Sequence, residues 1–109
     1  METNLSLRNI DKNKAINDFF EERVDKLTKH LAHFKDENIH IHANIDKNPH
    51  KEEYYASMNV YVPSGTLHAR SSSFDMFESM DEVVHSVIRQ AEKFKAKLRK
   101  GYRDNSRNK

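Results

Sequence analysis

Arg89, Lys93, Lys97 and Lys100 follow one another at steps of four, four and three. On a helix that spacing puts four cations on one face, where each like-charged pair costs a few tenths of a kcal/mol. The macrodipole at a helix C-terminus offsets part of the repulsion, but its effect fades within the last turn. It does not account for Arg89, several turns earlier, nor for the further cations Arg103, Arg107 and Lys109. A row of uncompensated cations suits a surface of phosphates, whose condensed counterions are released on contact. Charge along the chain points the same way. From residue 93 to residue 109, eight Lys and Arg stand against one acid, Asp104, a net of +7; the rest of the chain carries −5, for a total of +2. Arg23, Lys26 and Lys29 add cations further back, interrupted by Glu21, Glu22 and Asp25.

Other residue types carry weaker signals. There are seven histidines, and His40 and His42 share one strand face, a spacing that could ligate a metal with His68 or Asp46 as third ligand. Polar residues on an exposed sheet face explain them more simply, so no metal is expected. Tyr55 and Tyr61 could stack on bases, or could fill a β surface as cross-strand neighbours. For catalysis the chain offers nothing. Ser71, Ser72 and Ser73 lack the Gly-x-Ser-x-Gly elbow, and Asp81 reads as a residue hydrogen-bonding helix to sheet. No enzyme, cofactor or small-molecule substrate is expected.

The elements that must hold these residues follow from periodicity. Leu5 and Leu7 alternate with polar residues over a short strand, about 3–9. Asn13 caps a helix of about five turns, whose apolar set Ile16, Phe19, Phe20, Val24, Leu27, Leu31 and Phe34 ends near His33 to Lys35. Ile39, Ile41, Ala43 and Ile45 alternate as a second strand, and Tyr54 to Val62 form a third. Val62-Pro63-Ser64-Gly65 suits a type I turn into a fourth strand, Thr66 to Ser72, with Leu67, Ala69 and Ser71 inward. Asp75 and Glu78 cap the last helix, whose stripe from Phe77 to Leu98 runs about 24 residues, with Gly101 as its stop. The expected fold is α+β: a two-layer sandwich in β-α-β-β-β-α order, a four-stranded sheet with both helices on one face. Residues 1–100 form one domain, and 101–109 a mobile basic tail.

Composition bounds the answer. With 109 residues there is room for one core. Leu, Ile, Val and Phe make up about 22%, just above the roughly 20% below which highly charged chains stay disordered. Two glycines exclude a P-loop or a dinucleotide-binding fingerprint. The absence of cysteine removes thiol chemistry and disulfides. No signal-peptide run or membrane-length apolar stretch is visible, so a cytoplasmic protein with no membrane partner is expected.

The element order, His68-Ala69 in the fourth strand, and the run Asp75-Met76-Phe77-Glu78-Ser79-Met80-Asp81 followed by Arg89-Gln90, Lys93, Lys95 and Lys97 resemble the ribosome hibernation promoting factors. That family includes the ribosome-associated inhibitor A and was once named for σ54 modulation. The resemblance covers about residues 3–100. It implies a factor that binds the small ribosomal subunit between head and body and blocks translation under stress by occluding the messenger and transfer RNA sites. Carried over position by position, it implies ribosomal RNA contacts from Arg89, Gln90, Lys93, Lys95 and Lys97, and from Arg23 and Lys26 on the first helix; Lys100 joins them from the spacing above. Ser86 and Leu7 depart from the family pattern, where Lys and Gly are expected. Longer members carry a second domain that pairs ribosomes; this chain resembles the short form, monomeric off the ribosome. Two other readings stand beside it. One is a free-standing RNA-binding module using Tyr55, Tyr61, His68 and Arg70 on its sheet; the other is a protein-interaction module regulating transcription.

Overall fold

The computed structural model describes residues 1–107 apart from 33, 35 and 64, with the side chains of 36 and 98–107 also left outside the description. Four strands, β1 (Glu2–Arg8), β2 (His40–Lys47), β3 (Tyr54–Val62) and β4 (Gly65–Ser73), lie side by side in chain order. β2, β3 and β4 form the antiparallel meander, and β1 adds to β2 in parallel, so the sheet is mixed. The parallel pairing has a direct cause: α1 (Lys14–Lys29) occupies the connection between β1 and β2 and carries the chain back to its starting end. Asn9 closes β1 with a left-handed backbone, φ 60°, a conformation asparagine tolerates. Its side-chain amide donates to the Lys47 carbonyl at 3.1 Å.

Alternation in the sequence becomes two unlike sheet faces. Ile41, Ala43, Ile45, Ala56, Met58, Val60, Leu67 and Ala69 are all buried against the helices. α1 buries Ile16, Phe20, Val24 and Leu27, and the Asn13 side chain accepts from the Ile16 N–H at 3.0 Å. The α-helix is a turn shorter than the apolar spacing suggests. Leu31 and Phe34 still reach the core, but their backbone N–H groups bond three residues back, to Thr28 and Leu31. An apolar period survives such a tightened turn, which is why spacing overstates the helix. His33 and Lys35 lie outside the described residues, as does Ser64 of the expected turn.

α2 (Met76–Arg107) is the dominant element. Asp75 caps it, accepting from the N–H groups of Phe77 at 2.8 Å and Glu78 at 3.4 Å. Ser79, buried, donates from Oγ to the Tyr54 carbonyl at 3.1 Å and ties the first turn to β3. Met80, Val83, Val84, Val87 and Ala91 then line the core. Contrary to expectation, Gly101 does not stop the helix, which runs on to Arg107. A lone glycine costs about 1 kcal/mol against alanine, and with no proline after it the helix continues. Thirty-two residues span about 48 Å at 1.5 Å each, most of the molecule's 58 Å length. The expected tail thus begins within the helix, and Asn108 and Lys109, its end, lie outside the described residues.

Candidate nucleic-acid interface

The two helices lie side by side, and their contacts fix their direction. Phe19 meets Phe77 edge-on at 4.7 Å between ring centroids, Arg23 pairs with Asp81, His30 Nδ1 lies 2.6 Å from Glu92 Oε1, and Phe34 meets Phe94 at 6.3 Å. Partners advance together along both segments, so α1 and α2 run parallel. Their C-terminal ends therefore lie toward the same end of the molecule. The negative ends of both macrodipoles lie that way, as do Lys26, Lys29, Lys93, Lys95 and Lys97 near the ends of the two segments.

Arg23 is the centre of this seam. Its Nε donates to Asp81 Oδ1, its Nη2 donates to Oδ2 at 3.4 Å, and its Nη1 donates to Glu22 at 3.1 Å. The guanidinium carbon also stands 4.2 Å from the centroid of the Phe19 ring. The Asp81 hydrogen bond, outweighing the cost of burial, raises the guanidinium further above its ordinary value. Asp81 thus joins helix to helix, not helix to sheet as expected: its position on α2 faces α1 and not the strands.

The fold engages three acids of α2. Asp81 is held by Arg23, Glu92 by His30, and Glu82 accepts from the Ser71 hydroxyl. The cations of the outer stripe are left without such partners. Arg89, Lys93 and Lys97 are exposed, and among the described residues none of them has a carboxylate within ion-pair distance. Lys26 is likewise exposed, on the shoulder of α1 between Arg23 and His30. Lys95 is half-buried and follows the stripe of Phe77 and Ile88, on the flank toward α1. The Lys100 side chain lies outside the described residues.

Gln90 is held within the fold. Its Oε1 accepts from the His68 N–H at 3.1 Å, while its Nε2 donates to the His68 carbonyl at 2.7 Å. The amide therefore acts as a one-residue strand partner on the open edge of β4 and covers backbone groups that would otherwise recruit another chain. That clamp sits one residue after Arg89, so it also sets how the cationic stripe leaves the sheet. Sequence reasoning found the cations and missed the ties: Arg23–Asp81 and His30–Glu92 join residues 58 and 62 apart, with no local signal. Among the described residues no three His, Asp or Glu cluster as a metal site, and no helix is long and apolar enough to cross a membrane.

The stripe thus lies along one long helix of a small mixed α+β sandwich, exposed and without carboxylate partners among the described residues. The family of the chain is specific. Residues 3–99 match the family described as Sigma 54 modulation protein / S30EA ribosomal protein, and the chain belongs to it. It is 28% identical over 90 residues to a ribosome hibernation promotion factor of Picosynechococcus sp., a match covering 82% of this chain and 46% of that protein. Hence the chain spans about half the length of that relative. It is 25% identical over 99 residues to a ribosome hibernation promoting factor of Klebsiella oxytoca, covering 91% of this chain and 98% of that one. The fold is shared with the N-terminal domain of Protein Y from Thermus thermophilus, at a TM-score of 0.73 and 20% identity over 86% of this chain and 99% of that domain. A ribosomal subunit interface protein from Coxiella burnetii gives a TM-score of 0.65 at 24% identity, covering 88% and 99%.

Proposed function

We propose that this protein is a ribosome hibernation factor: it docks the cationic stripe of α2 on ribosomal RNA of the small subunit and blocks translation under stress by occupying the messenger and transfer RNA sites. One observation carries the reading. Arg89, Lys93 and Lys97 stand exposed along one stripe, without a carboxylate partner among the described residues, while Asp81, Glu82 and Glu92 of the same helix are engaged by other side chains. Such a helix presents net positive charge to its partner although it is rich in acids. Lys26 and Lys95 extend the contact along the seam between the helices, with Lys100 continuing the stripe; Arg23 and Gln90 serve it by holding α1 and β4 in place. Binding follows the shape and phosphates of folded RNA more than its bases.

The mechanism is steric. A rigid helix in a phosphate-lined channel excludes other occupants without any bond being made or broken. The protein acts in the cytoplasm as a monomer. A competition experiment tests this directly. Small subunits loaded with messenger and labelled transfer RNA should lose the transfer RNA as the protein is added, and excess transfer RNA should delay its binding. Simultaneous stable binding of both would overturn the occlusion mechanism.

A further inference from the structure

The helices cover one face of the sheet, and the other face is open. Among the described residues its outward positions carry no aliphatic side chain: they are Ser, Thr, Asn, His, Tyr, Arg and two acids. A trough of about 940 Å³ crosses this face. Its floor is the register row Ser6, Asn44 and Ser57, which ends on Arg70 of the edge strand β4. Arg8, on the opposite edge, lines the other side. Both arginines are exposed, and neither has a carboxylate within ion-pair distance among the described residues.

Two aromatic rings stand on the central strand β3. Tyr55, 43% exposed, lines the trough, and Tyr61, 42% exposed, lies beyond it. Both rings are anchored by neighbouring side chains. The Tyr55 hydroxyl donates to Glu53, and the Tyr61 ring meets the His42 ring at 5.9 Å and 81°. Six residues along a strand separate them by about 20 Å. Anchored rings lose less freedom when a partner stacks on them, so the cost of binding falls.

We propose that this face is a second nucleic-acid site that takes a short single-stranded RNA segment across the strands, from Arg70 past Tyr55 toward Arg8, separate from the stripe on α2. The chemistry selects that occupant. Guanidinium groups on both rims match a phosphodiester backbone, the Ser and Asn floor offers donors and acceptors to sugars and base edges, and Tyr55 offers a stacking surface. Tyr and Arg also anchor protein partners, but the floor between them is small and polar, Ser6, Asn44 and Ser57, with no apolar pocket for a partner's own anchor side chain. Asp46 and Glu53 lie at the Tyr55 end, which places a base there and phosphates toward Arg70. The inference stands independently of the helix stripe.

The test uses the full chain and a fluorescein-labelled eight-nucleotide uridine oligoribonucleotide, with binding read by anisotropy. Tyr55→Ala and Arg70→Ala should each weaken binding roughly tenfold, and Tyr55→Phe should retain it. The pair Arg89→Glu and Lys93→Glu should change it less than threefold. Circular dichroism confirms folding, which exposed positions tolerate. Binding lost with the helix pair and indifferent to Tyr55 and Arg70 overturns the proposal, as does absence of binding. Equal affinity for an eight-residue oligoglutamate overturns it too, in favour of an acidic protein partner. Small-subunit sedimentation of the same variants reads the helix stripe separately: Tyr55→Ala and Arg70→Ala should still sediment. Failure of every variant and of the unaltered chain to sediment would remove the ribosomal reading while leaving the oligonucleotide result standing.

Discussion

A triple variant, Arg89→Glu, Lys93→Glu and Lys97→Glu, should stop sedimenting with small ribosomal subunits under conditions where the unaltered chain does. The expected loss of affinity is at least about 100-fold. Each cation that neutralises a phosphate contributes a counterion-release term, and six to ten such contacts account for roughly 10³–10⁵ in affinity over a moderate salt change. Reversing three of them removes their share and adds repulsion. The fold should survive, because all three side chains are exposed and make no ion pair among the described residues. Melting temperature within a degree or two of the unaltered chain would show that the loss is one of contact. Arg23 is a poor choice for the same experiment, since its removal also releases Asp81.

Leu27→Ala should have the largest effect on stability. Leu27 is fully buried, 0% exposed, on the α1 face that packs against the sheet. Truncating such a leucine costs about 2–5 kcal/mol, through lost burial and the cavity left behind. A domain of this size holds only about 5–15 kcal/mol in all. The melting temperature should fall by roughly 15 °C, at about 4–8 °C per kcal/mol. Well below that melting point, affinity for the small subunit should stay within about twofold, because the stripe lies outside the core that Leu27 completes. Differential scanning calorimetry and sedimentation together separate the two effects.

The strands and caps were readable because their physics is local. Alternation over Ile39 to Ile45 and Tyr54 to Val62 has one solution when a single face is buried, and Asn13 and Asp75 each satisfy N–H groups within three residues. The helix ends were not readable. Phe34 keeps the apolar period of α1 after the α-helix has closed at Lys29, and a single Gly101 after the helix formers Leu98, Arg99 and Lys100 costs too little to stop α2. For the site, the spacing of Arg89, Lys93 and Lys97 revealed the stripe but not its state of charge. Whether those cations are free depends on where Asp81, Glu82 and Glu92 turn, and their partners Arg23, Ser71 and His30 come from other elements. The same holds for Gln90: beside Arg89 it reads as one more polar contact, and only the approach of β4 makes it a backbone clamp.

Retention on purified small subunits across a salt series tests most directly whether phosphates are what α2 meets. Six cations, Lys26, Arg89, Lys93, Lys95, Lys97 and Lys100, each releasing about 0.7–0.9 of a counterion, predict a slope of about −4 to −5 in the logarithm of affinity against the logarithm of salt. The triple reversal should flatten it. Retention indifferent to salt, or a protein left in the supernatant even at low salt, would contradict the account.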